Sequence, residues 1–560
     1  MADFPWLKHY PAAVDKTVNV TQYSSISELF DESVKKYGPA VAYECMGKTI
    51  SFNDLNQLSG SFAAYLTQVL KLEKGTRVAI QLPNILQYPV AMFGALRAGM
   101  VVVNTNPLYT PSEMKHQFND SGAEVVVIVA NFASNLEKIL PEIKAKHVIV
   151  TELGDMLGGL KGTIVNLVVK HIKKMVPSFS IPRAVSFKTV LKEGAKKTFK
   201  AENLTLADTA FLQYTGGTTG VSKGAELTHG NIVANMQQIS AWMKPSLKER
   251  EEIVVTALPL YHIFALTVNC LAMLKIGAHN LLITNPRDMP AFIKELSKHR
   301  FTVFTGVNTL FNGLLNQEAF HKLDFSGLKV AVGGGMAVQK ATADKWKKAT
   351  GTPLAEGYGL TETSPVATCN PTDGTERIGT IGLPLPNTEI IIVDDMGVTL
   401  PNGERGEICI KGPQVMKGYW NRPKDTAEVM MGDWFKSGDI GIMDNDGFTK
   451  IVDRKKEMIL VSGFNVYPNE VEDAIASCPG VLEVGVIGMP DPKSTEKVVA
   501  YVVPKDKSLT DKAVIDHCHE LLTNYKCPRE VYFIDELPKS NVGKILRRKI
   551  KEAHIEKIGA

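Results

Sequence analysis

A run of glycines and hydroxyl residues in this chain is typical of a loop that binds phosphate. Residues 214–224 read Tyr-Thr-Gly-Gly-Thr-Thr-Gly-Val-Ser-Lys-Gly. Glycines allow backbone N–H groups to converge on an anion, hydroxyls add donors or metal ligands, and Lys223 supplies a mobile positive charge. Ordinary solvated loops have the same composition, so the run alone leaves both interpretations open. Its spacing disfavours the P-loop of kinases and GTPases, which requires G-x-x-x-x-G-K-[ST].

Four further segments carry glycines and charged residues in patterns that suit a nucleotide site. Residues 356–364 read Glu-Gly-Tyr-Gly-Leu-Thr-Glu-Thr-Ser, and residues 434–439 read Trp-Phe-Lys-Ser-Gly-Asp. Residues 453–457 read Asp-Arg-Lys-Lys-Glu, and residues 538–544 read Pro-Lys-Ser-Asn-Val-Gly-Lys. Together with the glycine-rich run, these segments resemble, in the same order, the motifs of adenylate-forming enzymes, the AMP-binding superfamily. The resemblance covers nearly the whole chain and is strongest to bacterial long-chain fatty acyl-CoA synthetases.

This resemblance implies an enzyme that activates a carboxylic acid with ATP. In the implied reaction a long-chain fatty acid forms an acyl-adenylate with release of pyrophosphate, and CoA then displaces AMP. ATP and CoA are the implied co-substrates, and Mg²⁺ is the implied metal. Medium-chain and aryl-acid CoA ligases share the fold, and luciferase-like oxygenases share the adenylation half-reaction. A catalytically silent, membrane-associated acyl-binding protein is a further alternative, against which the intact charged motif residues argue.

The resemblance also assigns roles to individual residues. Lys544, Glu362 and Thr215 are the implied catalytic residues, with Glu362 and Thr215 placed to meet Mg²⁺. Tyr358 would stack on adenine, and Asp439 would accept hydrogen bonds from the ribose hydroxyls. The implied nucleotide-binding residues are Tyr214, Thr215, Gly216, Gly217, Thr218, Thr219, Gly220, Lys223, Gly334, Gly335, Glu356, Gly357, Tyr358, Thr361, Asp439 and Arg454.

Three residues are implied to face the acyl group. His262 would orient the carboxylate or gate the pocket, although a histidine in an apolar run is also typical of a core residue. Leu266 stands where some long-chain relatives carry a gating tryptophan, and Gly333 begins the loop implied to line the acyl tunnel. Lys456 is the implied hinge residue between two domains, and Gly463 is implied to face CoA.

The length and the strand pattern indicate several domains. A chain of 560 residues is too long for one compact core. Short β-branched runs alternate with helical patterns and predict buried parallel strands at 78–80, 101–103, 125–129, 148–150 and 253–255. Runs at 389–395 and 406–410, separated by a turn, predict an antiparallel or barrel-like unit. Residues 468–476, 481–487 and 498–503 predict a small unit of short helices and strands.

These patterns and the family resemblance together predict an α/β fold with two domains. The large N-terminal domain, residues 1–453, would contain two α/β subdomains plus a small β-barrel-like unit. It would carry the acyl and ATP sites. The small, mobile α+β C-terminal domain, residues 454–560, would carry Lys544.

The composition excludes several classes of protein. Hydrophobic residues make up 44% and charged residues 22%, and 63 basic against 59 acidic residues give a net charge of +4, so nucleic-acid binding has no support. The seven cysteines include no C-x-x-C pair, which favours reduced thiols and gives no support to a zinc site. The N-terminal residues do not resemble a signal peptide, so a cytoplasmic location is expected. The sequence does not decide the oligomeric state; a dimer is one expectation.

The segment 160–200 is unusually basic. Apolar residues recur at helical spacing between lysines over 160–176, and Glu193 is the only acidic residue from Lys161 to Lys200. A basic amphipathic helix suits an anionic membrane surface, where each basic residue adds about 1 kcal/mol of attraction. The segment therefore predicts peripheral contact with the inner face of the plasma membrane, and the alternative is an ordinary surface helix packed on its domain.

Overall fold

The computed structural model describes residues 4–215, 222–505, 508–540 and 543–558. Within these ranges the strands form two large and two small sheets. None of the helices described there combines the length and the apolar composition that crossing a bilayer requires. The α-helices of these ranges are Ile26–Tyr37, Phe52–Ala64, Gln87–Arg97, Pro111–Ser121, Ala133–Ile139, Gly159–Leu167, Phe187–Gly194, His229–Met243, Met273–Lys275, Met289–Leu296, Asn308–Leu315, Lys340–Thr350, Pro423–Val429, Pro468–Ala476, Asp511–Leu521 and Arg547–Ile558.

The first large sheet is mixed, with a parallel centre. Its described strands have the spatial order Leu383–Pro384, Val366–Cys369, Leu354–Gly359, Val330–Gly333, Val303–Gly306, Ile253–Thr256, His279–Leu282, Val41–Cys45 and Lys48–Ser51. Neighbouring strands from Leu354–Gly359 to Val41–Cys45 pair in parallel. The strand predicted at 253–255 is confirmed.

The second large sheet contains the strands on either side of the glycine-rich run. Its described strands have the spatial order Gly418–Tyr419, Gly224–Thr228, Thr209–Tyr214, Val101–Asn104, Arg77–Gln81, Val125–Val129, His147–Thr151 and Ala184–Ser186. Neighbours from Thr209–Tyr214 onwards pair in parallel, which confirms the four predicted strands of this region. The strand Val125–Val129 consists of β-branched residues that are all fully buried, as expected for a parallel strand covered on both faces.

The helix His229–Met243 fixes the strand that leaves the glycine-rich run. Thr228 ends that strand and caps the helix: the Asn231 N–H donates to Thr228 Oγ1 at 3.1 Å, and the Thr228 N–H donates to Asn231 Oδ1 at 3.0 Å. Near the end of the helix, Trp242 is buried in the hydrophobic core that the two large sheets share. The strand is therefore tied directly to the core.

The third sheet is the predicted antiparallel unit. Its strands have the order Glu389–Val393, Arg405–Lys411, Trp434–Met443 and Met430–Met431, and Thr449–Arg454 also pairs with Trp434–Met443. Every pairing in it is antiparallel. The long strand Trp434–Met443 thus carries neighbours on both sides, and one of them leads into the C-terminal region.

The fourth sheet belongs to the small C-terminal unit. Its strands have the order Phe464–Val466, Ile459–Val461, Thr495–Pro504 and Val481–Asp491, and Glu530–Phe533 also pairs with Thr495–Pro504. The predicted helix at 468–476 and the predicted strands at 481–487 and 498–503 are all present. Val471, Val484 and Val514 belong to a core of this unit's own. The α/β class with a large unit and a small α+β unit is confirmed.

Candidate active site

Asp439, Arg454 and Tyr358 form one contact group. Asp439 lies opposite Arg454 because their strands pair antiparallel. Arg454 Nε lies 3.0 Å from Asp439 Oδ1, and the Tyr358 hydroxyl donates to Asp439 Oδ2 at 2.6 Å. Asp439 is only 3% exposed, and its negative charge raises the pKa of Arg454. The carboxylate is therefore held in a fixed orientation by both of its oxygens.

A second group forms around Glu362 and Lys223. The Tyr419 hydroxyl donates to Glu362 Oε1 at 2.6 Å, and burial raises the pKa of Glu362. Lys223 Nζ lies 5.2 Å from the centre of the Tyr419 ring and forms an ion pair with Asp425. Tyr419 and Asp425 were not predicted from the sequence, because a lone tyrosine and an acidic residue in the first turn of a helix carry no distinctive signal.

Thr215 and Lys223 bracket the glycine-rich run. The Thr215 N–H donates to the Lys223 carbonyl at 2.9 Å, where the strands Thr209–Tyr214 and Gly224–Thr228 pair antiparallel. The predicted residues Gly216, Gly217, Thr218, Thr219 and Gly220 lie outside the described residues. The two ends of the run are thus held together.

Tyr214, just before the run, is fixed by another pair. Its hydroxyl donates to Asp120 Oδ2 at 2.7 Å, and Arg422 Nη2 donates to Asp120 Oδ1 at 3.1 Å. Burial is the main reason why the pKa of Tyr214 is raised. The side chain of Tyr214 thereby anchors the start of the run to the helix Pro111–Ser121.

Gly333, predicted to line the acyl tunnel, and Gly334 and Gly335, predicted to bind the nucleotide, occupy positions that disfavour a side chain. A Cβ at Gly333 would lie 2.5 Å from Val338 Cγ2, and one at Gly334 would lie 3.0 Å from Phe264 Cε1. Gly335 has a φ of +76°, which also favours glycine. Packing therefore disfavours a side chain at Gly333 and Gly334, and the backbone conformation disfavours one at Gly335.

Residues 356–361 lie in and just after the strand Leu354–Gly359, which pairs with the strand Val330–Gly333. Glu356 is paired in register with Gly333, and its Oε1 accepts a hydrogen bond from the Val338 N–H at 3.2 Å. Burial raises the pKa of Glu356 to about 8. Gly357 follows it in the strand, and Thr361 begins the short 3₁₀ turn that contains Glu362. The predicted residues of this motif thus run from the end of this strand into the turn that follows it.

Lys544 is brought to the large domain by the residue before it. The Thr309 hydroxyl donates to the Gly543 carbonyl at 2.9 Å, and a Cβ at Gly543 would lie 2.8 Å from that hydroxyl oxygen. Asn312, on the same helix, donates to the carbonyl of Leu482 in the small unit at 3.0 Å. Two contacts from one helix therefore seat the small unit beside the site.

The charges around Lys544 locate its ammonium group. Burial, and to a smaller extent the positive charge of Arg454, lowers the pKa of Lys544 to about 8. Burial and the charge of Lys544 lower the pKa of His262 to about 4. Lys544 thus lies in electrostatic reach of both His262 and the Asp439 group.

Arg547, which was not predicted from the sequence, links the helix after Lys544 to the end of the strand Thr449–Arg454. Its guanidinium donates to Asp453 at 3.2 Å and to Glu472 at 2.9 and 2.6 Å, and it also pairs with Glu457. Burial raises the pKa of Asp453 to about 6. In the sequence, Arg547 resembled the solvated basic residues beside it, so only the fold reveals its role.

The remaining predicted residues lie elsewhere. Leu266 is fully buried, and its N–H donates to the His262 carbonyl at 3.0 Å. Lys456 is exposed in the turn after Thr449–Arg454. Gly463 is exposed at the tip of a hairpin with a φ of +84°. The structure thus places Leu266 next to His262 along the chain, and places the other two on the surface of the C-terminal unit.

The arrangement suits a polyanionic ligand. Lys223, Arg454 and Lys544 supply positive charge from three separate elements, and the carboxylates of Glu362 and Asp439 are held by tyrosine hydroxyls. Cations that are held in place beside a phosphate stabilise its negative charge. Such a site can bind phosphates and stabilise charge that develops during their reaction.

Comparison with known proteins assigns the chain to a family. Residues 30–420 match the model of the AMP-binding enzyme, and residues 470–544 match its C-terminal domain. The chain is 54% identical over 547 residues to a long-chain-fatty-acid–CoA ligase from Escherichia coli O6:H1, covering 98% of both chains. ATP-bound MatB from Rhodopseudomonas palustris has a TM-score of 0.80 at 28% identity, over 94% of this chain and 99% of that one.

A second solved structure supports the fold alone. The anthranilate CoA ligase AuaEII, in complex with anthranoyl-AMP, has a TM-score of 0.86 at 24% identity, over 96% of this chain and 98% of that one. The order of the sequence motifs, the contact groups that they form and these matches agree. The chain belongs to the AMP-binding enzyme family.

Proposed function

We propose that this protein is an ATP-dependent ligase that converts long-chain fatty acids to acyl-CoA through an acyl-adenylate, releasing AMP and pyrophosphate. The 54% identity to a long-chain-fatty-acid–CoA ligase over 98% of both chains supports the substrate class. The observation that carries the chemistry is the hydrogen bond from Thr309 to Gly543, the residue before Lys544, whose pKa is shifted by burial and by the charges of Arg454 and Asp439.

In the first half-reaction, a carboxylate oxygen of the fatty acid attacks the α-phosphorus of ATP, and the bond from that phosphorus to pyrophosphate breaks. Both partners are anionic, so positioning and charge stabilisation supply most of the acceleration. Lys544 is the proposed catalyst; with a pKa of about 8 it is mostly cationic at pH 7. His262, with a pKa of about 4, is neutral at that pH and orients the fatty-acid carboxylate without adding charge.

The nucleotide is proposed to lie between the large sheets and the third sheet. Asp439 accepts hydrogen bonds from the ribose hydroxyls, with Arg454 beside it, and Tyr358 presents its ring to adenine. The backbone of Gly334, Gly335, Glu356 and Gly357 borders the base, and Thr361 contacts the α-phosphate. A Cβ at Gly334 would lie 3.1 Å from the Gly357 carbonyl oxygen, so these two backbone segments are close together.

The β- and γ-phosphates are proposed to bind at the glycine-rich run, from Thr215 to Lys223. Lys223 is paired with Asp425 and lies over the ring of Tyr419. When the triphosphate binds, its oxygens would replace the carboxylate of Asp425 as the partner of Lys223. The hydrogen bond between Thr215 and Lys223 holds the two ends of the run where this exchange takes place.

Glu362 and Thr215 fit Mg²⁺ by their chemistry. Mg²⁺ prefers carboxylate, hydroxyl and phosphate oxygens. The buried carboxylate of Glu362 has a raised pKa because its negative charge lacks solvation, and a divalent cation offsets that cost. When bound, Mg²⁺ neutralises charge on the phosphates of ATP.

In the second half-reaction, the thiolate sulfur of CoA attacks the acyl carbonyl carbon, and the bond from that carbon to the AMP oxygen breaks. We propose that the small domain, residues 454–560, rotates about Lys456 relative to residues 1–453 and withdraws Lys544. Gly463, on an exposed hairpin tip, then faces CoA. An exposed hinge residue supports this, because a hinge needs backbone freedom more than a special side chain.

The acyl chain is proposed to extend past Gly333 and the segment that begins with His262. A Cβ at Gly333 would lie 2.5 Å from Val338 Cγ2, so packing favours glycine in this part of the proposed tunnel wall. Leu266 fills the position of the gating tryptophan of some relatives and is fully buried, which is consistent with a core residue in place of a movable gate.

Membrane contact is proposed through the segment 159–176. Its helix Gly159–Leu167 and the turn that follows leave apolar side chains in solvent: Leu160 is 77% exposed and Ile172 74% exposed. Lys170, Lys173 and Lys174 are exposed beside them. A packed surface helix would bury its apolar residues, whereas a helix that lies on an anionic bilayer presents them.

Thioester formation with purified protein, ATP, CoA and acids of graded length tests the function. We expect AMP and acyl-CoA in equal amounts with long-chain saturated acids and little product with short-chain or aryl acids. A preference for medium-chain or aryl acids would assign the chain to that alternative on the same fold. No product with any acid would favour the silent binding protein.

A further inference from the structure

Two histidines and two glutamates that the reaction does not use meet at one place beside the first large sheet. Glu44 lies in the strand Val41–Cys45, and His279 begins the neighbouring strand His279–Leu282. Glu295 lies in the last turn of the helix Met289–Leu296, and His299 follows four residues after Glu295. Because these positions are far apart in the chain and form no motif, sequence inspection does not reveal the group, which we call the Glu44 cluster.

Three residues of the Glu44 cluster, Glu44, Glu295 and His299, place ligand atoms close together, and His279 adjoins Glu44. Glu44 Oε2 lies 3.2 Å from His279 Nε2, and Glu44 Oε1 lies 3.5 Å from His299 Nε2. His299 Nε2 lies 3.9 Å from Glu295 Oε1. Ligand atoms bound tetrahedrally to Zn²⁺ at about 2.0–2.1 Å are separated by about 3.3 Å from one another. One ligand atom each from Glu44, Glu295 and His299 lie mutually within 4.8 Å.

Burial makes these contacts costly without a further partner. Glu44 is 8% exposed, and Nε2 of both histidines and Oε1 of Glu295 are buried without a hydrogen-bond partner in the described part of the chain. The Glu44 contacts are therefore close but lack hydrogen-bond geometry. Buried polar atoms are rarely left unsatisfied, because each has given up its hydrogen bonds to water. The other oxygen of Glu295 pairs with Lys298, at the edge of the cluster.

The chemistry of the donors points to a borderline transition metal. Each of the two histidines offers an imidazole nitrogen, which binds Zn²⁺ when the ring is neutral. Two imidazole nitrogens with carboxylate oxygens suit Zn²⁺, whereas Mg²⁺ prefers oxygen ligands alone.

We propose that Glu44, Glu295 and His299, with His279 adjoining, form a structural Zn²⁺ site. The metal would join the N-terminal hairpin of Val41–Cys45 and Lys48–Ser51 to the helix Met289–Leu296 that covers the sheet. None of the four residues belongs to the active site described above, so the proposal does not depend on the ligase activity.

Metal analysis and thermal unfolding of the full chain, without nucleotide, test this proposal. We expect mass spectrometry to find about one zinc per chain after purification in metal-free buffer, as a structural site requires. Removal by a chelator should lower the unfolding midpoint, and Zn²⁺ should restore it in a concentration-dependent way where Mg²⁺ does not. His299→Gln should lose the zinc and its stabilising effect, whereas His321→Ala, at an exposed histidine outside the cluster, should keep both.

The alternative is a cluster that shares protons instead of a metal. In that case the wild-type chain would contain no zinc, and neither chelator nor Zn²⁺ would move its unfolding midpoint, which overturns the proposal. If His299→Gln does not fold, the zinc content of the wild-type chain and the metal dependence of wild-type unfolding still decide between a zinc site and a cluster without metal. Zinc retained by a folded His299→Gln variant would place the metal elsewhere and would equally overturn it.

Discussion

The hydroxyl of Thr309 donates a hydrogen bond to the carbonyl of Gly543 at 2.9 Å. Through this bond a helix of the large domain holds the residue immediately before Lys544. The bond belongs to the arrangement in which the charges of Arg454 and Asp439 act on Lys544, so it must break if the small domain rotates away. In the proposed two-step reaction, this contact is therefore present during adenylation and absent during thioester formation.

Thr309→Val should therefore slow adenylation more than thioester formation. The substitution keeps the shape of the side chain and removes one hydrogen bond, which contributes about 1 kcal/mol, so we expect a loss of about fivefold in the rate of adenylate formation. The measurement is ATP–pyrophosphate exchange, compared with CoA transfer from supplied acyl-adenylate. Thr67→Val removes a threonine-to-carbonyl hydrogen bond of 3.0 Å elsewhere and should change neither rate. Equal losses in both steps for Thr309→Val would contradict the assignment.

The pH dependence of adenylation should follow the charge of Lys544. Its pKa of about 8 lies below the ordinary lysine value, so the cationic fraction falls as pH rises through about 8. We expect kcat/KM for adenylation, which reports the free enzyme, to decline above that pH. Lys544→Arg keeps a positive charge at all these pH values, and its residual activity should not show the decline. The same decline in that variant would assign the titration to another group.

Tyr419→Phe should raise the Mg²⁺ concentration needed for half-maximal activity. The hydroxyl of Tyr419 stabilises the charged form of Glu362, so its loss should raise the pKa of that carboxyl further and weaken metal binding about fivefold. The aromatic ring under Lys223 remains. Tyr532→Phe removes a comparable tyrosine–glutamate hydrogen bond of 2.9 Å in the small unit and serves as the control. An unchanged Mg²⁺ requirement in Tyr419→Phe would argue against the metal role of Glu362.

Much of this site could be predicted from the sequence, because each of its motifs is a short unbroken run of residues. Asp439 and Arg454 were assigned to the same ligand, and strand pairing places them in contact. Tyr419, Asp425 and Arg547 could not be predicted, because each acquires its role from a partner more than 50 residues away in the chain. The strands of the parallel sheets were predictable from β-branched runs, whereas the seating of Gly543 on Thr309 depends on how two separately folded units meet.

Membrane binding should depend on the lysines of the segment 159–176. Replacing Lys170, Lys173 and Lys174 with glutamine removes about 1 kcal/mol of attraction each, so binding to vesicles rich in phosphatidylserine should weaken about 100-fold at low salt. Added salt should reduce the difference between variant and wild type. The triple glutamine variant at Lys345, Lys347 and Lys348, on another surface helix, is the matched control. Equal binding of both variants to the vesicles would indicate that the segment is an ordinary surface helix.

The most direct test of the proposed function separates the two half-reactions in Lys544→Ala. We expect ATP–pyrophosphate exchange with a long-chain acid to be abolished, while CoA transfer from supplied acyl-adenylate proceeds at nearly the wild-type rate, because Lys544 acts only where charge develops on the α-phosphate. Lys549→Ala, at an exposed position on the following helix, should keep both activities. Normal exchange in Lys544→Ala, or equal loss of both half-reactions, would contradict the central role given to Lys544.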